Sequence, residues 1–217
     1  MNEEQRNLLV RGAGELGIVL SSEQVDRLLL YLSELIRWNR SINLTGLRSD
    51  REILIKHFLD SLTPLTLLQP RKGERWIDVG TGAGFPGLVL KIARPELEMT
   101  LLEATGKKAA FLHHFIGLLR LEGISVLQDR LEHLHGPRWE EQYDLLLTRA
   151  VSPAVILQNG VGLVQSEGRI LFFQGPPDAS RWEKALKGNR RLVLEGIHPV
   201  SLPFTDEPRS LVLLKVV

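Results

Sequence analysis

Cysteine is absent from all 217 residues. Disulfide bridges and cysteine-ligated zinc are therefore excluded, and a reducing compartment is allowed without being required. The chain also lacks any uninterrupted apolar run long enough to span a bilayer as a helix. Its N-terminus, MNEEQRNLLVRGAGEL, carries acids where a signal peptide needs a basic flank. A cytoplasmic protein with no membrane partner is expected. An excess of one charge is missing too, since 27 Lys and Arg stand against 26 Asp and Glu for a formal net charge of +1. No global electrostatic footprint for nucleic acid follows from that balance, so any attraction to RNA or DNA must come from local clusters. What remains, 43% hydrophobic and 24% charged residues, suits a globular protein with a full core.

The pattern along the chain changes once. Behind Ser21 and Ser22, a capping pair, apolar residues fall at Val25, Leu28, Leu29, Leu32, Leu35 and Ile36, the 3.6-residue rhythm of an amphipathic helix. A polar loop follows Trp38, and a second helical pattern runs from about Asp50 to Leu68. Gln69-Pro-Arg-Lys-Gly73 is the best boundary. Beyond it, short β-type runs at 75–79, 99–103, 124–128, 143–147 and 168–173 alternate with helical segments near 86–94, 106–122 and 153–165. Such alternation predicts βαβ units on a parallel sheet. The last two runs, 191–197 and 210–216, are joined by a proline-containing loop with no helix, which predicts a closing antiparallel pair.

Directly behind the first run stands IDVGTGAGFPG (77–87), with four glycines and a proline. Between a strand and a helix, glycine permits positive φ and close approach of a ligand to bare backbone, and the helix N-terminus adds free N–H groups. A phosphate-binding P-loop is excluded, because Gly87 is followed by Leu88-Val89 and not by Lys-Ser/Thr. Gly82-Ala-Gly84-Phe-Pro-Gly87 is literally the dinucleotide fingerprint, although Gly80 and Thr81 separate it from the strand. Asp78 beside the turn would repel a pyrophosphate but suits a cationic amino acid group. Glu103, about 20 residues past the turn, stands where an acid accepts hydrogen bonds from both ribose hydroxyls. A ribose plus a cationic amino acid, without phosphate, describes S-adenosyl-L-methionine (AdoMet).

Further pieces narrow the reading: Trp38-Asn39 with Asn43-Leu44-Thr45, His57-Phe-Leu-Asp60-Ser61, Leu101-Leu-Glu103 with Lys107-Lys108, Arg130-Leu-Glu132, Arg149-Ala150, and the closing Arg209-Ser-Leu-Val-Leu-Leu-Lys215. Together with the glycine turn, the chain resembles the bacterial small-subunit ribosomal RNA guanine-N7 methyltransferase G family, also called glucose-inhibited division protein B. The resemblance implies an α/β, Rossmann-like class I methyltransferase with a seven-stranded, mostly parallel sheet. Residues 1–69 would form a helical cap and residues 70–217 the AdoMet-dependent core, packed as one compact monomer. It implies methylation of N7 of a guanine in small-subunit (16S) ribosomal RNA. It places cofactor contacts on Gly80 and Phe85 in the turn, Glu103 at the ribose, Leu131 and Glu132 near the adenine, and Arg149; Asp78 and Gly82 join them from the reading of the turn. Asn39, Asn43, His57, Asp60, Ser61 and Gln174 are candidates for the substrate side. Where the family usually has Lys-Gly after the fifth strand, this chain has Phe173-Gln174-Gly175, which keeps hydrogen bonding but loses a charge.

Guanine N7 carries a free lone pair, so its methylation needs orientation and exclusion of water and no general base. Arg149 is therefore expected to face guanine O6 or a phosphate, away from the sulfonium. Alternatives remain on the sequence alone: a nicotinamide-dependent oxidoreductase using Gly82-x-Gly84-x-x-Gly87, and a non-catalytic RNA-binding module. Ser61, His57 and Asp60 can share one helix face as a hydrolase triad would, but no G-x-S-x-G accompanies them. His113-His114 and His133-x-His135 come with no evident third ligand, and no metal is expected. Basic residues cluster at Arg37, Arg40, Arg48, Arg51 and Lys56, and at Arg71, Lys72 and Arg75. Each cluster is either a solvated face or a set of RNA phosphate contacts.

Overall fold

The computed structural model describes residues 3–217. Two helices open it, α1 (Glu3–Glu15) and α2 (Ser22–Asn39). Helix α2 starts where the capping pair predicts: the Ser21 side chain accepts from Gln24 N at 3.2 Å, and the Gln24 carboxamide accepts from Ser21 N at 2.8 Å. Its apolar face is buried at Val25, Leu28, Leu29, Leu32 and Leu35. The second helical pattern is less regular than its periodicity predicts. Helix α3 (Asp50–Ile53) passes into a π-helical stretch (Leu54–Leu59), then α4 (Asp60–Leu62) and a 3-10 turn (Thr63–Thr66). π-Helical turns gather at functional sites, and this one carries Lys56 and His57.

The sheet has seven strands: β1 (Arg75–Val79), β2 (Glu98–Leu102), β3 (Ile124–Leu127), β4 (Tyr143–Thr148), β5 (Val164–Gln174), β6 (Leu192–Val200) and β7 (Arg209–Val216). Their spatial order is β3-β2-β1-β4-β5-β7-β6. The first five pair in parallel, while β7 runs antiparallel to both β5 and β6. The crossovers are α5 (Gly87–Ala93), α6 (Gly106–Leu119) and α7 (Pro153–Asn159). Helix α7 stops short of the expected 165, because a 3-10 turn at Val161–Leu163 leads directly into β5. Helix α8 (Ala179–Leu186) lies in a stretch where the sequence pattern predicts no element. It is capped by Asp178, which accepts from Arg181 N at 3.0 Å, and Trp182 is its only buried residue. Trp182 and the partly buried Leu186 give it an apolar face, but over only eight residues that rhythm is too short to stand out.

Both faces of the sheet are covered, so β1 alternates between two cores. Trp76 joins a cluster containing Leu28, Leu35, Phe58, Leu88, Phe111 and Leu147. Ile77 and Val79 join another around Leu146, Ile156, Ile170 and Trp182. The first cluster runs continuously from α1 and α2 into α5 and α6. The N-terminal helices thus share a core with the sheet domain, at roughly 2–5 kcal/mol for each large side chain truncated there. That shared core sets a helical wall beside the carboxyl ends of β1 and β4, where the strand order reverses and open α/β sheets bind ligands.

Candidate active site

The glycine turn follows β1 at this switch point. Gly80 N and Thr81 N both donate to Leu102 O, at 3.0 and 3.1 Å, so the turn bends toward the end of β2. There Glu103 is 6% exposed and already oriented: it accepts from Gly82 N at 2.9 Å and from Thr105 N at 2.7 Å. Each oxygen keeps a lone pair for a further donor. Gly82 has φ +63°, and the side where a Cβ would stand is open for at least 4 Å. A prepositioned carboxylate with spare lone pairs, beside open backbone, is the acceptor that the ribose hydroxyls of AdoMet require, so these residues fit it.

Asp78 plays a different part from the one its position predicts. It has no exposed surface, so it cannot touch a cationic ligand group. Thr81 Oγ1 and Gly87 N donate to its Oδ2 at 2.6 and 2.7 Å, closing the turn from beneath. Oδ1 has no partner, and burial pushes the carboxyl up to about 6 despite those bonds. Phe85 is also largely covered. Its ring stacks on Tyr31 at 5.1 Å and on His57 at 4.7 Å, with the Arg149 guanidinium 5.5 Å from its centroid. The peptide bond from Phe85 to Pro86 is cis.

Arg149, just past β4, is the hub. Its guanidinium donates to Lys56 O at 3.2 Å, to Asp60 Oδ2 at 3.3 Å and to His57 Nδ1 at 3.1 Å. A guanidinium can only donate, so toward Arg149 the Nδ1 accepts, although the same atom also lies 3.2 Å from Lys56 O, which can only accept. The imidazole is then neutral with its proton on Nε2, 2.7 Å from Thr45 Oγ1. Burial, and next the Arg149 charge, push His57 down to about 4, which keeps it neutral at physiological pH. Asp60 is buried between Arg149 and Arg209, whose Nε lies 3.5 Å from Oδ1. Burial raises its carboxyl, and the two arginines oppose that rise.

These side chains border a cavity of about 350 Å³ lined by Lys56, His57, Asp60, Arg149, Gln174 and Arg209, with Phe173 in its wall. The structure thus unites four of the sequence candidates, His57, Asp60, Arg149 and Gln174. Gln174 is tied down, accepting from Trp182 Nε1 at 2.7 Å and donating to Pro176 O at 2.9 Å. Ser61 is not part of the group: it is fully buried and its hydroxyl donates to His57 O within the helix. No Ser–His–Asp relay exists. Asn39 is also withdrawn, since Leu44 N and Thr45 N donate to its Oδ1 at 2.8 and 2.9 Å and its Nδ2 donates to Thr45 O at 3.1 Å. It braces the 40–48 loop, and with Asn43 it lines a separate cavity. Leu131 and Glu132 sit on a 3-10 turn after β3 and border a third cavity, with Trp139 and Leu157. Among the described residues, no three His, Asp or Glu side chains gather as a metal site. For Arg209 and Thr45 the sequence predicts no site role. Arg209 reaches the cavity because β7 inserts beside β5, and only its place in the closing motif hinted at it.

A seven-stranded sheet with β7 reversed, a glycine turn at the switch point and an acid after β2 defines a class I methyltransferase fold. Solved structures agree. A SAM-dependent methyltransferase from Aquifex aeolicus matches with a TM-score of 0.59 at 14% identity, over 76% of this chain and 93% of that one. TrmN from Thermus thermophilus matches with a TM-score of 0.60 at 16% identity, over 84% of this chain and 53% of that one. The chain belongs to the rRNA small subunit methyltransferase G (GidB) family, whose model matches residues 24–212. The Ribosomal RNA small subunit methyltransferase G of Caldanaerobacter subterraneus subsp. tengcongensis is 38% identical over 221 residues, spanning 100% of this chain and 92% of that relative. That of Pelotomaculum thermopropionicum is 41% identical over 216 residues, spanning 94% and 87%. AdoMet-dependent methyl transfer is the family's chemistry. The oxidoreductase and RNA-binding-module alternatives fall with that membership.

Proposed function

We propose that this protein methylates N7 of a guanine in small-subunit (16S) ribosomal RNA, with Arg149 orienting the base. The observation that carries this reading is the Arg149 guanidinium, fixed beside the glycine turn and facing the Lys56–Arg209 cavity. Bound AdoMet supplies an electrophilic methyl group on a sulfonium sulfur. Glu103 accepts hydrogen bonds from the ribose hydroxyls, the backbone at Gly80 and Gly82 lies against the amino acid portion, and Leu131 and Glu132 serve the adenine end.

Three of the five N–H donors of Arg149 are committed to Lys56, His57 and Asp60, which leaves two for the substrate. A donor to guanine O6 leaves N7 free, and adenine offers no acceptor at that place. His57 is not aimed at the substrate as an acid or a base, because its Nδ1 faces Arg149 and its Nε2 faces Thr45. Methylation of N7 needs no base, and a cavity whose carboxylate, Asp60, is paired with Arg149 and Arg209 supports N7 over an exocyclic amine or a ribose hydroxyl. Phe173 in the cavity wall offers an aromatic surface to an unstacked base. The substrate is rRNA or the small ribosomal subunit, and the protein acts as a cytoplasmic monomer. Among the described residues no helix is long and apolar enough to cross a membrane.

The test is incubation with methyl-labelled AdoMet and small-subunit rRNA lacking native modifications, followed by digestion and nucleoside analysis. Label in 7-methylguanosine is expected. Label on carbon, ribose or an exocyclic amine overturns the assignment.

A further inference from the structure

The basic cluster that the sequence leaves undivided is sorted by the structure. Arg37 pairs with Glu34 at 2.5 Å, and Lys56 pairs with Glu207 at 2.6 Å. Arg51 lies over the Phe204 ring, 5.6 Å from its centroid. Arg40 and Arg48 remain: both are exposed, and among the described residues neither is engaged in an ion pair. They flank the cavity of about 430 Å³ that Asn43, Thr45 and Gly46 also line. Nearby acids are spent elsewhere, Asp50 accepting from Gln5 Nε2 at 2.8 Å and Glu52 from Ser49 Oγ at 3.0 Å.

The loop that carries this cavity is not loose. Asn39 holds it through three hydrogen bonds at Leu44 and Thr45, and Thr45 Oγ1 meets His57, the residue that holds Arg149. Two unpaired guanidiniums on a braced cleft, one side chain removed from the site, suit a diester phosphate, which arginine grips in a planar fork.

We infer that the Arg40–Arg48 cleft is a phosphate subsite that grips the RNA backbone flanking the target nucleotide. The inference rests on the rRNA reading above. Its function is positional: a phosphate held there fixes the strand relative to Arg149, and with a chain charge of only +1 it supplies local attraction where global attraction is absent.

The experiment titrates unmodified small-subunit rRNA with the intact protein over a series of salt concentrations, for the wild type, the R40Q/R48Q double variant and R27Q. Arg27 pairs with Glu23 at 2.6 Å on α2 and serves as a control for the loss of a surface charge away from the cleft. Each phosphate contact to single-stranded RNA contributes about 0.7 to the slope of log affinity against log salt. The double variant should flatten that slope by about 1.4 and weaken binding about 10-fold at moderate salt, while each R27Q value stays with the wild type. A double variant with wild-type slope and affinity, made in a protein that methylates rRNA normally, overturns the inference alone. A wild type that neither binds nor methylates rRNA overturns the functional reading and this inference with it.

Discussion

The Tyr31 hydroxyl, fully buried in α2, donates to the carbonyl of Ala83 in the glycine turn, 52 residues away in sequence. Its ring meanwhile stacks on Phe85 and Phe115 at 5.1 and 4.8 Å. The N-terminal helices therefore hold the cofactor turn by a directed bond as well as by packing. A Cβ on Gly84 would stand 2.6 Å from that hydroxyl, at φ +106°, so glycine is required for the approach.

Tyr31→Phe keeps the stack but strands a buried carbonyl. Stability should fall by about 1–3 kcal/mol, and AdoMet should bind more weakly because the turn is less well held. Chemical denaturation and calorimetry on the same preparation check both. Unchanged values in both would show that packing alone positions the turn.

Glu103→Ala removes the acceptor assigned to the ribose and frees Gly82 N. AdoMet affinity should drop by about 1–3 kcal/mol, the scale of a lost charge-assisted hydrogen bond. A folded variant with wild-type affinity in calorimetry would move the ribose elsewhere.

Thr45 tests how Arg149 is held. Thr45→Val deletes the hydroxyl that meets His57 Nε2, and Thr45→Ser restores it. The valine variant should lower single-turnover methyl transfer about 10-fold, roughly the cost of one misplaced hydrogen bond, with little change in AdoMet binding. The serine variant should recover most of it. Equal rates for valine and serine would detach Thr45 from the site.

Two buried groups act in opposite directions on stability. Asp78 is raised from 3.8 to about 6, so between those values the folded chain holds a proton that the unfolded chain has released. Its contribution declines as pH rises through that window. His57 is lowered from 6.5 to about 4, so there the unfolded chain holds the extra proton, and its contribution grows as pH rises. Asp60, also raised by burial, adds to the Asp78 side. Asp78→Asn should leave the contribution of His57 unopposed and steepen the rise of stability with pH by about 1.4 kcal/mol per unit between pH 4 and 6. His57→Gln should tilt the profile the other way. Denaturation midpoints across that range decide, and superimposable profiles for wild type and Asp78→Asn would refute the assignment.

Much of this architecture is written locally. Every parallel strand announces itself by a short apolar run, and α2 by its period and capping box, because burial on one or both faces imposes those rhythms. Helix α8 escapes notice because its apolar face, Trp182 with Leu186, spans only eight residues. The site divides along the same line. Glu103 and the glycines are legible because they stand at strand ends, which chain order fixes. Asp78 and Asn39 misled, since a polar residue beside a ligand site can equally serve its own loop. Arg209 and Thr45 lie far from Arg149 in sequence, and only tertiary packing brings them near it.

Arg149→Lys, examined by single-turnover methyl transfer on unmodified rRNA with AdoMet titrated in parallel, probes the assigned chemistry most directly. Lysine keeps the charge but loses the planar fork that serves His57, Asp60 and the base together. Methyl transfer at saturating RNA and AdoMet should fall about 10- to 100-fold, with AdoMet affinity changed only a few-fold. Collapse of AdoMet affinity beside normal saturated transfer would make Arg149 a cofactor residue and contradict its role in orienting guanine.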